Sequence, residues 1–95
     1  MRSCLLLAVQ TDGCAIQTVE GLAANGELSA LQAAFKECYA VQCGFCTPGI
    51  LMAASQLLEG PPPSREEITD MLSGHLCRCT GYEPIVRAIA KVAGT

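Results

Sequence analysis

Cys43 and Cys46 form a C-x2-C pair, and Cys77 and Cys79 form a C-x-C pair after the intervening residues 47–76. Two thiols one residue apart do not bond to each other without strain, so Cys77 and Cys79 must hold something else. Four thiolates at two loop sites can bind zinc tetrahedrally or carry an iron–sulfur cluster. Zinc ribbons usually pair two C-x2-C knuckles, and here one pair is C-x-C. A 2Fe-2S rhomb needs two thiolates on each iron, which two loops with one pair apiece can supply. The spacing leans toward iron–sulfur and leaves zinc open.

The remaining cysteines are Cys4, Cys14 and Cys38, making seven in 95 residues. An odd count leaves at least one thiol outside any paired scheme. A disulfide scaffold needs an oxidising compartment, and "MRSCLLLAVQ" does not provide the address. Its apolar run, Cys4 to Val9, is shorter than the roughly 7–15 residues of a secretory core, and Gln10, Thr11 and Asp12 interrupt it. No run approaches the ~20 apolar residues of a membrane span. A cytoplasmic, metal-binding chain is the expectation. Net charge is −3 with no block of like charge, which does not recommend a nucleic-acid partner. His75 is the only histidine, and no Ser-His-Asp or Cys-His arrangement supports independent catalysis.

The elements that must position these cysteines are mainly helical. Half the chain is apolar, yet it has two Tyr, two Phe and no Trp, so the core is built from Ala, Leu, Ile and Val, which suits close-packed helices. "CLLLAVQ" and "CAIQTVE" read as short strands joined at Thr11-Asp12-Gly13, a hairpin signal. Leu28, Leu31, Phe35 and Cys38 then fall at helical spacing and predict a first helix over 27–40. After "VQCGFCTPG", Thr47 can cap a second helix with Pro48 in its first position. Its stripe is Ile50, Leu51, Ala54, Leu57 and Leu58, and it ends near Glu59 before "GPPP". Ser64 and Glu67 spell a capping box for a third helix carried by Ile68, Met71 and Leu72. Ile85, Val86, Ile89 and Val92 mark a fourth.

A weak repeat emerges: helix, cysteine pair, Thr, then a second helix, with "CGFCTPG" in one half and "CRCTGY" in the other. The expected architecture is a four-helix bundle with pseudo-two-fold symmetry, preceded by a short β-hairpin, with both cysteine loops meeting at one end. Both loops lead into helix N-termini, whose N–H groups and dipoles favour a net-negative group.

"VQCGFCTPG" followed by "LCRCTGY" closely resembles the helical 2Fe-2S domain of the iron–sulfur subunit of molybdenum hydroxylases, the xanthine dehydrogenase, aldehyde oxidoreductase and aerobic carbon monoxide dehydrogenase family. "SCLLLAVQ" and "TVEGL" resemble that subunit's link from its ferredoxin half. The resemblance implies residues 1–24 as a remnant of that half and its linker, and residues 25–95 as the cluster domain. It implies one 2Fe-2S cluster ligated by Cys43, Cys46, Cys77 and Cys79, with Cys77 and Cys79 on one iron. It places Gln42 and Cys79 near molybdopterin. The implied partners are a molybdopterin-binding large subunit and an FAD-binding medium subunit. The molybdenum centre would hydroxylate a substrate with water-derived oxygen, and the two electrons released would pass singly through this cluster toward a second cluster and FAD.

The departures are specific. The family's glycine-rich ferredoxin loop is absent, and Cys4 matches the fourth ligand of that missing cluster. The chain is accordingly expected to be a fragment, a misplaced start or half of a split subunit. His75 stands where the family usually has Asn, and a hydrogen-bonding role is expected for it. Cys38 is expected to be a buried small hydrophobe, Cys14 a free thiol, Arg78 an offset to cluster charge or a solvated side chain, and Tyr82 a cover over the second loop. The rival readings are a structural four-cysteine zinc interaction domain and an inactive fragment.

Overall fold

In the computed structural model, which describes residues 3–23 and 29–94, the first helix begins at Ser29. The Ser29 hydroxyl accepts the Gln32 N–H at 3.2 Å, and the Gln32 side chain accepts the Ser29 N–H at 2.9 Å. This reciprocal exchange satisfies two donors that a helix start otherwise leaves free. Helix α1 runs Ala30–Glu37. The expected start at Glu27 and Leu28, like the expected domain boundary at 24/25, lies outside the described residues.

The expected end at residue 40 comes earlier, after Glu37. Tyr39 turns left-handed at φ 56°, its N–H bonds Lys36 O, and the Ala40 N–H bonds Phe35 O at 2.9 Å. That is a Schellman closure with tyrosine where glycine usually stands, and it aims the chain into the first cysteine loop.

Helix α2 spans Thr47–Leu58. Cys46, not Thr47, is its capping residue, and its carbonyl takes the Ile50 N–H. Pro48 falls in the first turn, where it has no helical N–H to lose. Helix α3 spans Arg65–Leu72, and the Ser64 hydroxyl accepts the Glu67 N–H, the first half of the expected box. Helix α4 spans Glu83–Ala93 and stops at Gly94, which is left-handed at φ 78°.

The helices pair in a pattern that respects the two-fold repeat. α1 packs on α4 as α3 packs on α2, and each helix also touches its partner within its own hairpin. Phe35, Ile50, Ile68, Ile85 and Ile89 are the large, fully buried side chains at the centre, at least one from every helix. No described helix is long and apolar enough to cross a membrane.

The expected hairpin does not form: there is no strand among the described residues. Residues Ser3–Leu5, Ala8–Thr11 and Val19–Leu22 are short 3-10 turns instead. The turn signal itself is correct, with Gly13 left-handed at φ 79°. Local polar bonds hold the preceding run in a turn: Gln10 Oε1 accepts the Leu7 N–H at 2.8 Å, and the Thr11 hydroxyl donates to Ala8 O at 2.7 Å. Such bonds compete with strand pairing, and an isolated two-stranded hairpin is marginal in water.

Candidate metal centre

The first cysteine loop follows the Schellman turn of α1. Gly44, left-handed at φ 86°, folds the C-x2-C segment back so that the Cys43 sulfur receives the Phe45 N–H. Cys46 then opens α2. Gln42 is exposed beside Cys43.

The second loop is held by one tyrosine. Tyr82 Oη accepts the Cys77 N–H at 2.8 Å and donates to His75 O at 2.9 Å, so a single phenol fastens both ends of the segment before the C-x-C pair. Thr80 Oγ1 lies 3.2 Å from Cys77 Sγ and accepts the Tyr82 N–H at 3.1 Å. Gly81 and Tyr82 are both left-handed, at φ 69° and 75°; the tyrosine conformation is costly for a residue with a Cβ and is held by these three hydrogen bonds together with the Val86 N–H on its carbonyl. The loop cover expected of Tyr82 is present. The His75 ring lies against Gly49 in the first turn of α2, where a Cβ would stand 3.6 Å from Nδ1.

The two loops meet, and the four thiols pair across them. Cys43 is hydrogen-bonded to Cys79, and Cys46 to Cys77. Cys77 and Cys79, expected together on one iron, each interact with a cysteine of the opposite loop.

Each pair has one sulfur that holds a proton poorly and one that holds it well. The Phe45 N–H, followed by the Cys79 thiol, holds Cys43 below the ordinary thiol range. The Thr80 hydroxyl leads a set of donors, including the Thr80 and Cys79 N–H groups, that brings Cys77 down to about 7. Burial pushes Cys46 up to about 11, and donation to Cys43 raises Cys79. Within each pair one sulfur gives up its proton more readily than the other, and a metal binding the thiols displaces the protons they hold.

This donor set fits two irons, since two sulfur pairs offer two protein donors per metal. Among the described residues no three His, Cys, Asp or Glu side chains are gathered closely enough to hold a metal ion as they stand.

The other cysteines stay apart from this centre, and all seven thiols are free. Cys4 and Cys14 are exposed, while Cys38 is half-buried against the core. Arg78 is exposed between Cys77 and Cys79. The sequence reading missed two features. One is the Thr80 hydroxyl on Cys77, for which "CRCTGY" offered a Thr one turn after the cysteine. The other is an apolar rim beside the site: Phe45 is 94% exposed, Leu76 92% and Tyr39 81%.

The family described as 2Fe-2S binding domain matches residues 18–90. The nicotine 6-hydroxylase small subunit of Paenarthrobacter nicotinovorans is 57% identical over 95 residues, an alignment covering 99% of this chain and 57% of that subunit. Quinoline 2-oxidoreductase from Pseudomonas putida 86 superposes with a TM-score of 0.88 at 57% identity, covering 98% of this chain and 58% of that one. Aldehyde oxidoreductase from Desulfovibrio gigas superposes with a TM-score of 0.90 at 38% identity, covering 99% of this chain and 11% of that one. The chain spans a little over half the length of the small subunit it matches.

Proposed function

The chain belongs to the 2Fe-2S binding domain family, and on that footing we propose that it is an electron-transfer module of a molybdenum hydroxylase complex, with Cys43, Cys46, Cys77 and Cys79 as the cluster ligands. The observation that carries this reading is the cross-loop pairing of the four thiols. In this reading the four sulfurs together would hold the two irons of the cluster. A bound cluster supplies reversible one-electron transfer. The chain's own residues set where it sits and what surrounds it: Gly44 and Tyr82 shape the loops, and α2 and α4 begin directly behind them.

The partners in this reading are a molybdopterin-binding large subunit and an FAD-binding subunit, with a second 2Fe-2S cluster on the path between. Gln42 and Cys79 are the residues nearest the pterin. Their exposure suits that position, as does the apolar rim of Phe45, Leu76 and Tyr39. The complex works in the cytoplasm. Relatives named for nicotine and quinoline make a nitrogen heterocycle the substrate class to try first.

Reconstitution without oxygen tests the cluster. Two irons and two sulfides per chain, visible absorption and one EPR signal on reduction are expected. One zinc and no colour would replace this reading with a structural zinc domain, and four irons with two signals would show a second site.

A further inference from the structure

We propose that Thr80 tunes the reduction potential of the cluster by donating its hydroxyl proton to Cys77 Sγ, with the Tyr82 N–H fixing the direction of that bond. This rests on the 2Fe-2S reading above.

Thr80 Oγ1 sits between two groups, Cys77 Sγ at 3.2 Å and Tyr82 N at 3.1 Å. A backbone N–H can only donate, so at that contact Oγ1 accepts. The hydroxyl has one proton, and the sulfur is its remaining neighbour in this arrangement. A thiolate that ligates metal has no proton and can only accept. Both ends of the Thr80–Cys77 contact therefore impose the same direction. The left-handed turn at Gly81 and Tyr82 brings the Tyr82 N–H back onto Thr80, and the Tyr82 phenol, bonded to Cys77 N–H and His75 O, keeps the turn closed.

The consequence is electrostatic. One-electron reduction adds one negative charge to the cluster and its sulfurs, and Thr80 keeps its proton throughout. A donor aimed at a ligand sulfur is stronger on the more negative state, so it favours the reduced form and raises the potential. The matching position in the first half of the repeat is Thr47, whose N–H bonds Gly44 O.

The test is an EPR-monitored redox titration of the full chain, reconstituted with iron and sulfide and reduced with dithionite through mediators. In Thr80→Val the ratio of reduced to oxidised cluster at a fixed potential should fall roughly three- to tenfold, the scale of one hydrogen bond, tenfold being 59 mV for one electron. Thr80→Ser should keep the wild-type midpoint. Pulsed EPR should lose one exchangeable proton coupling in Thr80→Val and keep it in Thr80→Ser. A fully loaded Thr80→Val with an unmoved midpoint overturns the proposal. If Thr80→Val takes up no cluster, Thr80→Ala is titrated in its place; if neither loads while Thr80→Ser does, Thr80 serves assembly and the tuning role is wrong. A wild-type chain that binds no iron defeats the cluster reading itself, before Thr80 is touched.

Discussion

Cys46 and Cys77 both pack partly against the core, yet burial dominates the proton affinity of the one while the Thr80 hydroxyl leads the donors around the other. That contrast shows why the seven thiols are not equivalent targets. Serine at Cys43, Cys46, Cys77 or Cys79 should abolish the visible absorption and the reduced-state EPR signal, because the harder, more weakly basic hydroxyl is a poor replacement for a thiolate on iron. Serine at exposed Cys4 or Cys14 should change neither. Serine at Cys38 should leave the spectrum intact while lowering stability by about 1 kcal/mol, since a hydroxyl replaces a sulfur packed on the core. Loss of colour in Cys38→Ser with retention in Cys79→Ser would defeat the ligand assignment. The four central cysteines were legible in the sequence because C-x2-C and C-x-C each force two sulfurs into one short loop. Which sulfur faces which was not legible. That depends on left-handed backbone at Gly44, Gly81 and Tyr82, and a tyrosine at positive φ carries no mark in the sequence.

At the scale of elements, the apolar stripes located all four helices, because burying Phe35, Ile50, Ile68 and Ile89 demands that periodicity. Ends were less legible, since caps depend on single side chains. Ser29 makes a complete capping box and Ser64 has its hydroxyl bond alone among those recorded at that helix start. Ser29→Ala should therefore cost about 1–2 kcal/mol in urea unfolding and Ser64→Ala less, near 0.5–1 kcal/mol. Tyr39 closes α1 in a conformation that favours glycine and is 81% exposed, so little packing is lost with its ring. Tyr39→Gly should raise stability by up to about 1 kcal/mol, relief of left-handed strain outweighing the added backbone freedom; a loss of stability would show that the exposed ring is held by packing after all. Lys91 bonds Glu37 across the α4–α1 seam, holding the Glu37 carboxyl below its ordinary 4.5 and the Lys91 amine above its ordinary 10.5. The link is present in full between those values, fades as pH falls through the lowered carboxyl, and fades again as pH rises through the raised amine. Both side chains are exposed, so the effect is small and screened by salt. In low salt, the melting-temperature gap between the metal-free wild type and Lys91→Ala should close on acidification from pH 7 to 3. The hairpin shows the opposite failure: Asp12-Gly13 marked a real turn, but no strand forms on either side of it among the described residues.

At the scale of the whole chain, the two-fold pattern makes the cluster a crosslink. α1 and α2 form one hairpin, α3 and α4 the other, and the proposed cluster takes sulfurs from the cysteine loops of both. A crosslink closing a loop of some thirty residues restrains the unfolded chain by roughly 3–4 kcal/mol, so the metal-free chain should melt at least about 10 °C lower than the loaded one. The other whole-chain feature is the run before residue 17. Leu5, Leu7, Val9 and Ile16 are each at least 66% exposed, whereas Val19 and Leu22 pack on the core and their turn touches α2. The boundary between what the bundle holds and what it leaves in water therefore falls near residue 17, close to where the family match begins at residue 18. Exposed apolar groups gathered in one segment favour association. The 95-residue chain should consequently self-associate, and removing residues 1–16 should yield a more soluble species that still loads two irons. Removing residues 1–22 should instead destabilise α2 by stripping Val19 and Leu22 from it. Light scattering and thermal melts of the three lengths, each with and without iron and sulfide, separate these effects. A monomeric full-length chain whose melting temperature ignores the cluster would refute both the exposed-segment argument and the crosslink.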